Sequence, residues 1–94
     1  MHYLVRSEIR STLELKGLRS PTASAVAAIF AEARKSKGLT QRGLANRVRR
    51  PHSVIGMIET EQRQVTVPEF ITLAEAIGKD PVELFRSVIK QRTR

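Results

Sequence analysis

Ninety-four residues carrying 17 Lys and Arg against 9 Asp and Glu, a formal charge of +8, describe one small domain suited to polyanionic partners. A chain of this length closes a single modest core and leaves little material for a deep catalytic cleft with a lid. With no cysteine there is no disulfide or thiolate metal site, and His2 and His52 lie too far apart in sequence to suggest a zinc pair, so no metal or other cofactor is expected.

The stretch from Met1 to Glu8 lacks an apolar run of signal-peptide length, and nowhere do apolar residues continue long enough to span a bilayer. A cytoplasmic protein without a membrane partner is expected. Val5, Ile9, Leu13 and Lys16 fit helical spacing, whereas Thr12 to Lys16 alternates as a strand does. Residues 1–19 therefore read as helix followed by a strand over 11–16, an extension to a domain formed by residues 20–94. Ser20-Pro21 opens a helix running through Ala25 to Lys37, with Val26, Ile29, Phe30 and Ala33 on one face and Gly38 as its left-handed exit. Thr40 caps a second helix from Gln41 to about Val48; Gly43 within it costs about 1 kcal/mol relative to Ala, to be offset by packing or used for a close backbone approach. Pro51 cannot lie inside a helix, so the second helix stops near Arg49 and a third runs from about Pro51 to Glu59. Thr66 and Glu69 form a capping box before a fourth helix, whose stripe is Phe70, Leu73, Ala74 and Ile77 and whose end is Gly78. Asp80-Pro81 opens a fifth, carrying Val82, Leu84, Phe85, Val88 and Ile89.

The second and third helices form an antiparallel pair across a tight turn, the arrangement that presents one helix to the DNA major groove. Leu44, Ala45, Val48, Ile55 and Ile58 supply the facing apolar positions; with Ile55 and Ile58 inward, His52, Ser53, Gly56 and Met57 face out. Charge follows the same division. From Arg34 to Arg63 the basic residues Arg34, Lys35, Lys37, Arg42, Arg47, Arg49, Arg50 and Arg63 outweigh Glu59 and Glu61 for a local +6, whereas Gln64 to Phe85 carries −3. A phosphate-facing surface requires such an asymmetry; a merely solvated face does not. Scarce aromatics (Tyr3, Phe30, Phe70, Phe85) leave few platforms for stacking single-stranded bases, and duplex binding needs none.

Arg34, Gly38-Leu39-Thr40-Gln41, Leu44-Ala45, Ser53 with Ile55, Ile58-Glu59, Leu73 to Gly78, and Asp80-Pro81 before Leu84-Phe85 fall without a gap at the spacings of a known family. Residues 29–85, about sixty percent of the chain, resemble the helix-turn-helix domain of the Xre/Cro and phage-repressor type. The resemblance implies an all-α, five-helix, lambda-repressor-like fold. It implies base reading by Arg50, His52, Ser53 and Met57, with phosphate contacts from Gln41, Arg42, Arg47, Arg49, Gln62 and Arg63. It also implies a partly buried ion pair between Arg34 and Glu59 that sets the angle of the recognition helix. Gln41 sits in the first turn of its helix, where free N–H groups attract a phosphate and its amide can brace the recognition helix. Arg49 and Glu61 stand where the family usually has glycine, which predicts a strained left-handed conformation or a remodelled turn at Arg49 and a negative charge near phosphates at Glu61.

The function these features imply is sequence-specific binding of double-stranded DNA by a transcriptional regulator, a repressor acting as a homodimer on an inverted repeat, since one short helix reads too few bases alone. Leu4, Val5, Ile9, Leu13 and Leu15, or Val88 and Ile89, are surplus apolar residues available for dimerisation or for satellite packing. An alternative is an antitoxin-like protein whose extension binds a toxin partner while DNA binding autoregulates its operon. Non-specific polyanion or membrane-surface binding through the tail Arg86, Lys90, Arg92 and Arg94 is a further alternative. No paired carboxylates, Ser-His-Asp set or phosphate loop point to an enzyme.

Overall fold

The structure, a computed structural model, describes residues 20–92. The expectations for residues 1–19 lie outside them. Five helices follow one another, α1 (Pro21–Ser36), α2 (Gln41–Val48), α3 (His52–Glu59), α4 (Val67–Ile77) and α5 (Pro81–Arg92), with no strand among the described residues.

The ends are where local chemistry put them. Ser20 accepts from the Ala23 amide at 3.0 Å with Pro21 in the first turn of α1, and Thr40 accepts from the Gly43 amide at 2.9 Å at the start of α2. A Cβ on Gly43 would stand 3.1 Å from the Thr40 hydroxyl oxygen, so the close approach that the glycine serves is to its own cap. Thr66 and Glu69 exchange both bonds of the capping box, and Gly78 ends α4 in the left-handed region. Pro51 is the residue before α3, not its first residue; its extended ψ of 143 makes it the cap position.

Ile29, Phe30 and Ala33 of α1, Leu44 and Ala45 of α2, Ile55 and Ile58 of α3, Leu73, Ala74 and Ile77 of α4, and Leu84 and Val88 of α5 close one core. Phe30, Phe70 and Phe85 meet edge to face in a row, with centroids 4.9 and 5.9 Å apart. The fifth helix departs from expectation. Leu84 and Val88 share its buried side, while Val82 is 63% exposed, Phe85 54% and Ile89 36%. Val88, expected among the surplus residues, is fully buried. The apolar residues of α5 occupy two faces, and the one four residues apart at 84 and 88 is buried in the core. Among the described residues no helix is long and apolar enough to cross a membrane, and no group of three His, Cys, Asp or Glu is placed to hold a metal ion.

Candidate nucleic-acid interface

Helix α3 is held from beneath by Ile55 and Ile58 and at its end by charge. Arg34 of α1 donates to both carboxylate oxygens of Glu59, Nε to Oε2 at 2.6 Å and Nη2 to Oε1 at 2.9 Å, and its Nη1 reaches the Leu39 carbonyl at 2.7 Å. Gln41 Nε2 adds a bond to Glu59 Oε1 at 2.9 Å. Burial opposes the charge of Glu59, but the hydrogen bonds from Arg34 and Gln41 and the Arg34 and Lys35 charges outweigh it and hold the carboxyl below its ordinary range. The Arg34 guanidinium is raised by the same bond with Glu59. A single carboxylate thus ties α3 to both α1 and α2.

The outward side of α3 presents His52 and Ser53, both exposed, with Met57 half-buried one turn on and Arg50 exposed just before the helix. Gly56 differs from expectation: it faces α2, where a Cβ would stand 3.4 Å from Gln41 Oε1. A Cβ there would make ordinary van der Waals contact with the Gln41 side chain.

The expected phosphate set divides in two. Arg42 and Arg49 are exposed and, like Arg50, make no side-chain hydrogen bond or ion pair among the described residues. The others are engaged. Gln41 is committed to Glu59, Arg47 Nη1 donates to the Ala76 carbonyl at 2.8 Å, and Gln62 Nε2 donates to Thr60 Oγ1 at 3.0 Å. Arg63 holds Glu69 through two bonds, Nη1 to Oε1 at 3.1 Å and Nη2 to Oε2 at 2.5 Å. Glu69 was legible as a capping residue but not as the partner of Arg63, because nothing in a six-residue spacing across a loop announces contact.

Arg49 adopts φ 57, ψ 48 and Glu61 φ 62, the two non-glycine residues with positive φ among those described. At Arg49 the left-handed conformation is kept and the turn is not remodelled, and Glu61 adopts the same region. Glu61 does not hang free beside a phosphate path: Ser24 Oγ of α1 donates to its Oε1 at 2.9 Å, turning the charge onto α1. Ser24 carried no sequence signal for this contact.

The profile of the helix-turn-helix family matches residues 30–84. The chain belongs to the Xre-type helix-turn-helix family of DNA-binding transcriptional regulators. It is similar to an XRE-family like protein from Pseudomonas syringae pv. tomato str. DC3000, at 31% identity and TM-score 0.72, over 83% of this chain and 95% of that one. It is also similar to the restriction-modification controller protein C.Esp1396I solved as a tetramer in complex with its natural 35 base-pair operator, at 25% identity and TM-score 0.72, over 78% of this chain and 96% of that one. A point mutant of that controller in a trigonal form shares the fold at 24% identity and TM-score 0.74, over 80% of this chain and 100% of that one. No curated protein matches the sequence at a comparable level.

Proposed function

We propose that this regulator is a cytoplasmic repressor that binds an inverted-repeat operator as a homodimer, with α3 in the major groove. The observation that carries the reading is the pose of α3. Its inner face is sealed by Ile55 and Ile58, its end is fixed by Glu59, and its N-terminal end offers His52 and Ser53 beside Arg50 with nothing in front of them among the described residues. Ser53 donates to or accepts from a base edge, Arg50 suits guanine bidentately, and Met57 suits a thymine methyl. Arg42 and Arg49 supply backbone contacts on either side, next to the first turn of α2, whose leading backbone amides suit a phosphate.

The controller protein's operator-bound tetramer supports assembly on DNA. On this chain the apolar surface suited to a second copy is the α5 stripe of Val82 and Phe85, with Ile89 at its edge. Two such helices packed antiparallel about a two-fold axis set Val82 of one copy opposite Ile89 of the other and bring the two Phe85 rings together, a self-complementary patch. Selection of binding sites from random duplexes, with sedimentation of the free protein, tests the reading. An enriched inverted repeat with half-sites about one helical turn apart is expected; no enriched sequence overturns it.

A further inference from the structure

Arg63 lies in the loop that leaves the recognition helix, yet its guanidinium fork is turned onto Glu69 of α4. Arg63, Glu69 and Arg50 line the same cavity of about 130 Å³ beneath α3, so the pair sits at the edge of the surface that carries Arg50. Both side chains are half-shielded, 31% and 19% exposed, unlike the loose Arg86–Glu83 pair at 59% and 67%. A guanidinium fork satisfies one carboxylate or one phosphate bidentately, and here the carboxylate is already anchored. Glu69 also accepts the Thr66 amide at 3.1 Å and stands in the first turn of α4, where the helix end favours negative charge.

We propose that Glu69 is an internal competitor for Arg63, withholding that guanidinium from the DNA backbone and so lowering the sequence-independent, salt-sensitive part of duplex affinity. The proposal rests on the DNA-binding reading above. Arg42 and Arg49 carry backbone affinity, whereas Arg63 is neutralised within the protein. The hydrogen bond from Arg63, followed by the Thr66 amide, holds the Glu69 carboxyl below its ordinary range, so the competing anion stays charged wherever DNA is bound.

The test is the salt dependence of affinity for a random-sequence duplex, measured on the full chain and on R63A, E69Q, R63A/E69Q and E75Q. Gln serves in a capping box as Glu does, so E69Q keeps the start of α4, and thermal melts confirm it. Glu75 is an exposed α4 carboxylate that controls for net charge alone. Expected results are an R63A slope equal to that of the wild type, and an E69Q slope steeper by about one ion, so that a fourfold rise in salt costs E69Q about 3.5-fold more affinity. R63A/E69Q returns to the wild-type slope and E75Q never leaves it. A shallower slope in R63A, an unchanged slope in E69Q, or an equal effect of E75Q overturns the proposal. A wild-type chain that binds no duplex overturns the DNA-binding reading with it.

Discussion

Arg34 and Glu59 meet fork to fork with both side chains 8% exposed, and the pair joins the last turn of α1 to the last residue of α3. Arg34 is also the one charged residue in the buried set among the described residues. A guanidinium enclosed in this way holds α3 at one angle, because any tilt must break two bonds to Glu59 and strand its charge.

Removing either partner is expected to destabilise the fold by about 3–5 kcal/mol, since the remaining charge stays buried and unpaired. Arg34→Met combined with Glu59→Leu recovers much of that loss. Thermal melts of the four proteins decide it, and strictly additive losses in the double variant would falsify the coupling.

Acid should weaken the fold through the same residue. Glu59 has a folded-state pKa below its ordinary unfolded value. Its contribution is therefore complete above the unfolded value and lost as pH falls through the folded one. Urea midpoints taken between neutral pH and pH 3 should drop steeply for the wild type and less for the Arg34→Met, Glu59→Leu protein; parallel curves would place the acid sensitivity elsewhere.

His52 and Ser53 should read sequence. Replacing either by Ala is expected to cost about 1–3 kcal/mol on the selected operator and almost nothing on random duplex. Equal losses on both DNAs would assign these residues to the backbone.

Arg42 and Arg49 should act uniformly across sequences, each Ala variant lowering the salt slope by about one. Competition binding at several salt concentrations reads this directly, and slopes unaltered in both variants would move the phosphate surface off α2 and its turn.

Arg49 holds a left-handed backbone that disfavours side chains by about 1–2 kcal/mol. Part of the relief given by glycine is returned through unfolded-state entropy, so Arg49→Gly should raise stability by up to about 1 kcal/mol while weakening DNA binding. At Glu61 the same change also removes the Ser24 bond, and its net effect on stability should be near zero. Chemical denaturation separates the two; equal gains at both positions would mean that the Ser24 contact contributes nothing.

The sequence alone determined most of the helix ends, which depend on neighbours within one turn. Ser20, Thr40 and Thr66 stopped or started helices because their hydroxyls reach amides three residues on, and Gly38 and Gly78 ended helices because positive φ costs them nothing. The inward stripes of α2 and α3 and the Arg34–Glu59 pair were legible for the same kind of reason: periodicity shows which residues share a face, and the family spacing showed which charges meet. Only the tertiary structure decided which face of α5 is core, because Val82, Phe85 and Ile89 are as apolar as Leu84 and Val88 and the choice lies with the position of α1. It also decided which of the basic residues face solvent. Arg42, Arg49 and Arg63 look alike in sequence, but the loop after α3 swings Arg63 over the first turn of α4, and a carboxylate within bonding distance takes its guanidinium.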